Sequence, residues 1–409
     1  MQNRNRQSLN WRSLNRAVVA AATVVVVSFS TLASAQREDA HAIFAAAPKV
    51  NTSVAGVHAF PDTPSGFNIM TASNRELLTY GLPQRPDKAT DAHGYDRWEK
   101  AMSALQSCNQ HAQSNAKTTS SAQACHGNDV KAMPFSSRNA QAVPGQTEKL
   151  NGEGTRSVSF YNWSGIAQTN ALKSWNNKTS FDEVVSVWNV PVANHPFGNL
   201  PCSEGPWWEV TWNGIDGFSN GDVVQGGSSS YWDGGGCGGA ISYFGWVEWY
   251  PSYPILAIYC GSSPCPVGPG DDFEVVTFAA PGTSEQFVFV EDVTQQWSGT
   301  FGLTYVTGPG VVGSSAEYIV ERPCCNGSNE YPLGNYVWEF FDDSFAYDVA
   351  GTLFFPGNTG LKTYIISMVA DDGATTISYP VFYGTGGNQG KYSFWMSDAN
   401  CAYSGGCTP

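Results

Sequence analysis

Three short stretches of the chain carry carboxylates and an amide at spacings that could do chemistry. In Phe244-Gly245-Trp246-Val247-Glu248-Trp249-Tyr250-Pro251, the period of two of a β-strand puts Trp246, Glu248 and Tyr250 on one face and Val247 and Trp249 on the other. In Ala316-Glu317-Tyr318-Ile319-Val320-Glu321, Glu317 faces away from Ala316, Tyr318 and Val320. In Val223-Val224-Gln225-Gly226-Gly227, Gln225 follows two apolar residues and precedes glycines that let another chain come close. A sandwich of two sheets would bury Val247, Trp249, Tyr318 and Val320. Its opposite, concave face would present Gln225, Glu248 and Glu317 beside Trp246 and Tyr250. Aromatic walls around a few polar groups describe an extended ligand cleft. A carboxylate there can act as general base on a water, and an amide can donate a hydrogen bond to an oxyanion.

Other chemistries lack their residues. After residue 150 the one histidine is His195, in a proline-flanked loop. Nucleophilic triads need an oriented imidazole base, and a catalytic zinc usually takes several histidines. Cys108, His111, Cys125 and His126 lie close in sequence but show no ligand spacing, so neither metal nor other cofactor is expected. No glycine-rich phosphate loop with a following lysine occurs; Gly234–Gly239 is interrupted by Cys237 and reads as a turn.

The elements that must position these groups are strands. Short β-branched and aromatic runs recur between turns: Glu183–Val192, Trp207–Trp212, Ala240–Tyr250, Phe273–Ala279, Gln286–Val290, Ala316–Val320, Lys362–Val369 and Thr376–Phe382. With no convincing helical period after residue 150, they predict an all-β sandwich or jelly roll of antiparallel sheets over residues 151–409. Residues 1–35 read as a signal peptide. Arg4, Arg6, Arg12 and Arg16 precede the apolar run Ala17–Phe29, and Ala33-Ser34-Ala35 offers small residues for cleavage. The mature chain is therefore expected to be exported, to the medium or the periplasm, with no membrane segment. Residues 36–150 hold five of the six histidines and most of the mature chain's Lys and Arg. They read as a prosegment, weakly helical over Arg75–Leu82 and Thr90–Leu105, with 106–148 a loosely ordered polar linker.

The charge is lopsided. The chain's formal net charge is −14, and 25 Asp and Glu follow residue 150 against six Lys and Arg. So acidic a domain repels nucleic acid and anionic lipid. The 10 cysteines of an exported chain predict disulfides. Sequence proximity suggests Cys108–Cys125, Cys202–Cys237, Cys260–Cys265 and Cys401–Cys407, although spacing cannot fix connectivity.

The sequence resembles the glutamic peptidases, or eqolisins. The resemblance rests on Asn162-Trp163-Ser164-Gly165, Val187-Trp188-Asn189-Val190-Pro191, Trp212-Asn213-Gly214-Ile215-Asp216-Gly217, Val224-Gln225-Gly226-Gly227, Trp246–Pro251, Gly270-Asp271-Asp272 and Ala316–Glu321. It implies a secreted proenzyme with a concanavalin-like sandwich of two seven-stranded antiparallel sheets. It assigns the catalytic pair to Glu317 and Gln225, with supporting roles for Asp216, Trp163, Trp246, Glu248 and Tyr250. The expected partners are protein or peptide substrates and the protein's own prosegment as an inhibitor at neutral pH, on a monomer. Asn213 and the adjacent Cys324-Cys325 depart from the family pattern. Two rivals remain on the same fold. A glycosidase would use Glu248 and Glu317 as acid and nucleophile and leave Gln225 dispensable. A carbohydrate-binding lectin would stack sugars on Trp246 and Tyr250 and survive loss of Glu317.

Overall fold

The computed structural model describes residues 39–398, apart from 116–124, 147, 151–154, 195–205, 234–238, 281–283, 309, 327–328, 358–360 and 382–392. The expected signal peptide, His195 and the Cys202–Cys237 and Cys401–Cys407 pairings lie outside the described residues. From Asp39 onward the chain forms one compact unit.

The N-terminal part contributes α1 (Ala40–Ala46), β1 (Val50–Asn51), β2 (Val57–Ala59), α2 (Asn74–Thr79), α3 (Ala92–Asn115), β3 (Asp129–Ala132) and β4 (Lys149–Leu150). Strands follow: β5 (Arg156–Phe160), β6 (Trp163–Thr169), β7 (Phe181–Asn189), β8 (Trp207–Ile215), β9 (Val223–Trp232), β10 (Ile241–Tyr250), β11 (Leu256–Cys260) and β12 (Ser263–Pro264). Next come β13 (Asp272–Phe278), β14 (Glu285–Asp292), β15 (Trp297–Thr304), β16 (Ser315–Glu321), β17 (Cys324–Asn326) and β18 (Asn329–Glu330). The last are β19 (Trp338–Asp348), β20 (Leu353–Phe354), β21 (Lys362–Val369), β22 (Thr376–Val381) and β23 (Phe394–Asp398).

Two sheets result. The first runs β3–β11–β10–β9–β8–β16–β6–β21, with β5 beside β21. The second runs β1–β2–β15–β14–β13–β7–β19. β22 pairs with β21 and β23, and β23 with β19, so the sheets join along one edge. Among the described strand pairs only β5–β21 is parallel.

Alternation along each strand sorts side chains into layers. Val247, Trp249, Tyr318 and Val320 meet Phe273, Val275, Val288 and Val290 between the sheets, as period two predicts. Val276, Phe278, Phe287 and Phe289 point out of the second sheet and pack under the helices. Trp212, Trp246, Ile319 and Trp163 point out of the first sheet, on the cleft face.

The N-terminal part wraps this sandwich. It adds β2 to the edge of the second sheet and β3 to the edge of the first. In α3, Trp98, Ala101, Met102, Leu105 and Cys108 recur at helical spacing and bury one face in the layer behind the second sheet. In α2 a capping box holds the start, Ser73 and Glu76 each accepting from the other's backbone N–H. One expectation changes. Residues 106–115 continue α3, and 125–146 follow the sandwich surface instead of forming a loose linker. Polar composition concealed this, because these residues are ordered by pairing with the sandwich, as in β3 with β11, and by the Cys108–Cys125 disulfide within the N-terminal part. Cys260–Cys265 is also bridged.

Candidate active site

The register of the first sheet brings the sequence-assigned groups into one row. Glu317 of β16 stands opposite Gly214 of β8, Gly214 opposite Gln225 of β9, and Gln225 opposite Glu248 of β10. Cross-strand neighbours share a face, so all three polar side chains rise from the cleft side. Two strand spacings place the Glu317 and Gln225 backbones about 10 Å apart, with only Gly214 between them. A Cβ at Gly214 would lie 3.0 Å from Gln225 Cβ and 2.8 Å from the Val224 carbonyl oxygen, so glycine keeps the gap open. One pleat along, Ile319, Trp212, Gly227 and Trp246 form the next row, and Trp163, Glu321, Val210, Ser229 and Phe244 the row after. Trp163 meets Trp212 edge-on at 4.9 Å between ring centroids. Tyr250 ends β10 on the same face as Glu248, half-buried.

Gln225 Nε2 donates to Glu248 Oε2 at 2.8 Å, which leaves its second N–H unused by that bond, while Gln225 Oε1 has no partner. Neither carboxyl oxygen of Glu317 has a hydrogen bond of ordinary geometry. Burial pushes the Glu317 carboxyl well above the usual carboxylate range; the Ser315 hydroxyl opposes this and Asp216 reinforces it. Glu248 is raised by burial and then by the neighbouring Glu321. Glu321 itself is pushed up to about 8, again by burial first.

Asp216 works from behind the row. It sits at φ +73 at the end of β8, and its carboxylate accepts from the N–H groups of Val312, Gly313 and Ser314 and from the Ser314 hydroxyl, at 2.6–3.0 Å. It therefore fixes the turn that launches β16, and with it Glu317.

Sequence reasoning passed over Glu321 and residues 133–143. Period two places Glu321 on the Glu317 face, so that signal was present. Its carboxylate accepts from Trp212 Nε1 at 2.8 Å. Residues 133–143 are not strand-like in pattern, yet they cross the cleft face. Ser137 N–H donates to Glu248 Oε2 at 3.2 Å, Arg138 N–H to Glu321 Oε1 at 3.0 Å, and Gln141 N–H to Asn162 Oδ1 at 2.8 Å. The cleft expected to face solvent is covered by this segment at Glu248 and Glu321, and Glu317, Gln225 and Glu248 are all fully buried.

Comparison with known proteins decides the family. Residues 161–379, more than half the chain, match the description Peptidase A4 family. The chain belongs to the peptidase A4 family. This glutamic peptidase is similar to solved structures of the same kind. Scytalido-glutamic peptidase with a peptide-based transition-state analogue shares 18% identity over 58% of this chain and 98% of its own, with a TM-score of 0.43. SCP-B, an eqolisin solved with the tripeptide Ala-Ile-His, gives 18%, 58%, 98% and 0.41. Aspergilloglutamic peptidase from Aspergillus niger gives 21%, 47%, 99% and 0.36. No match was found among curated proteins. The peptidase thus carries its family's match over the sandwich strands, from just before β6 to within β22.

Proposed function

We infer that the peptidase is an exported acid endopeptidase in which Glu317 is the general base and Gln225 the oxyanion donor. The observation that carries this reading is the single row Glu317–Gly214–Gln225–Glu248 on a face that already holds an extended peptide segment. In the reaction, ionised Glu317 takes a proton from a water whose oxygen bonds to the peptide carbonyl carbon. The carbonyl oxygen becomes an oxyanion and accepts the free N–H of Gln225. Glu248, bonded to the other N–H, holds the amide in the orientation that points nitrogen rather than oxygen at this position. The tetrahedral intermediate then collapses. The C–N bond breaks, the proton on Glu317 passes to the leaving amine, and the acid and amine products depart. Aspartic dyads and metals are not needed for this sequence of steps.

Residues 36–150 act in this reading as an inhibitory prosegment, supported by the course of 133–143 over the row. While covered, Glu317 favours its protonated form; exposing it to water lowers its pKa toward the ordinary range and frees the base. Two carboxyls share this face, as a glycosidase would need, but the Gln225–Glu248 hydrogen bond and the peptide in the cleft favour the peptidase chemistry.

The test is cleavage of unfolded casein or haemoglobin from pH 2 to 7 with pepstatin present, comparing processed wild type with Glu317→Gln. Acid activity that resists pepstatin and disappears in the variant is expected. Cleavage by Glu317→Gln at the wild-type rate would remove Glu317 as the base. Full-length protein that cleaves at neutral pH without first being shortened would rule out inhibition by residues 36–150.

A further inference from the structure

The segment 133–143 is an extended chain lying across the cleft, held by main-chain hydrogen bonds along its length, by the buried Phe135 ring and by an Arg138–Glu330 ion pair. Met133 N–H donates to the Ile255 carbonyl at 2.9 Å, and Ile255 N–H to the Phe135 carbonyl at 3.3 Å. Ser136 and Cys324 exchange N–H···O bonds of 2.9 and 2.8 Å. Ser137 and Arg138 give their N–H groups to the side chains of Glu248 and Glu321. Ala140 N–H reaches the Gly217 carbonyl at 3.2 Å. Any peptide has these groups, so the same track can hold any extended chain.

Side chains add selectivity at one deep position. Phe135 is 3% exposed, with its ring centroid 4.0 Å from that of Trp208 and 6.4 Å from those of Phe244 and Tyr331. Trp208 is itself stacked on Tyr231 at 4.0 Å, which stiffens that wall. Register puts Trp208 and Phe244 on the cleft face, on the same strands as Gly214 and Glu248. Two residues further along the segment, Ser137 is fully buried against Glu248 and Glu321, where only a small side chain fits.

We propose that the socket formed by Trp208, Phe244 and Tyr331 is a substrate subsite that takes an aromatic side chain, two residues N-terminal to the peptide position that lies over Glu248. This rests on the reading of the cleft as a peptide-hydrolysing site and adds its side-chain class. Aromatic rings packed together are attracted beyond what their burial gives, which favours Phe, Tyr or Trp over an aliphatic residue of similar area.

Two experiments test it. The processed enzyme is used to digest a denatured proteome, and the cleaved sites are sequenced. One position at a fixed distance from the cut should be enriched in Phe, Tyr and Trp, and Tyr331→Ala should reduce that enrichment at least several-fold while cleavage elsewhere continues. Separately, the synthetic nonapeptide Met133–Gln141 and its Phe135→Ala version are titrated into processed Glu317→Gln by calorimetry, which needs no turnover. The parent peptide should bind at least tenfold more tightly. Equal binding of the two peptides, or cleavage with no aromatic position, overturns the subsite. Phenylalanine-dependent binding to an enzyme whose wild type cleaves nothing would support the subsite while overturning the catalytic reading.

Discussion

Gln225 is a neutral residue asked to do polar work in a site surrounded by carboxyls. An amide can serve because it keeps its donors at every pH, whereas Glu248 and Glu321 lose or gain a proton with their surroundings. Its orientation is set by one bond, Nε2 to Glu248 Oε2. Removing such a donor costs about 10²–10³ in kcat. Gln225→Ala is therefore expected to lower kcat by that factor with little change in KM, as read by steady-state kinetics on one peptide substrate. An unchanged kcat would mean the oxyanion is held elsewhere. Gly214 makes a comparable point by having no side chain, since the space it leaves is what joins Glu317 to Gln225.

At the scale of elements, β8 is aromatic and apolar on its cleft face, with Trp208, Val210, Trp212 and Gly214, but polar on the face between the sheets, with Glu209, Thr211 and Asn213. Between the sheets, Thr211 Oγ1 lies against Glu209 Oε1 and 2.6 Å from Glu339 Oε2 of β19. One hydroxyl carries one proton and cannot donate to both acids, so at least one carboxyl must donate in return. Burial agrees: it pushes Glu209 up to about 7 and raises Glu339 well above its ordinary range. Both acids hold protons more tightly folded than unfolded. Their contribution to stability is then full below about pH 4.5 and is lost as pH rises through about 7. For Glu209 the amount is on the order of 3 kcal/mol. The full-length protein should lose several degrees of thermal midpoint between pH 4 and 8, and Glu209→Gln should flatten that slope. Parallel profiles in scanning calorimetry would place the pH sensitivity elsewhere.

Across the whole molecule, the N-terminal part holds on at both ends of the layer stack. Its strap covers the cleft, and its helices sit on the far side of the second sheet. There Arg97 pairs with buried Glu274, Lys100 with Asp272, His93 with Asp343 and Lys49 with Glu285. Glu291, directly across from Glu274, has no hydrogen-bond partner and is raised well above the usual range by burial, then by Glu274. Asp343 is pushed up to about 6 by burial, so its pairing with His93 fails as pH falls below that. Breaking one buried pair by removing the cation costs about 3–5 kcal/mol. Arg97→Ala should therefore raise the pH at which full-length protein first cleaves casein. No shift in that onset would mean that the helices dock without controlling the cleft.

The sequence by itself determined what depends on local order. Period two sent Val247, Trp249, Tyr318 and Val320 inward and Glu317 and Glu248 outward, because a strand cannot turn one of these residues without turning its neighbours. It placed most long strands. It missed Trp163–Thr169, Val223–Trp232 and Trp297–Thr304, whose glycines and small polar residues weaken the alternation, and Trp338–Asp348, whose register is shifted within its pairing with β7. What only the tertiary structure decided is register and cover. Glu317, Gly214 and Gln225 come from segments about a hundred residues apart at the extremes, and no local rule aligns them in one row. Nor does any local rule send Phe135 into an aromatic socket or Ser137 over Glu248. Those residues have no strand pattern of their own and take their conformation from hydrogen bonds offered by the sandwich.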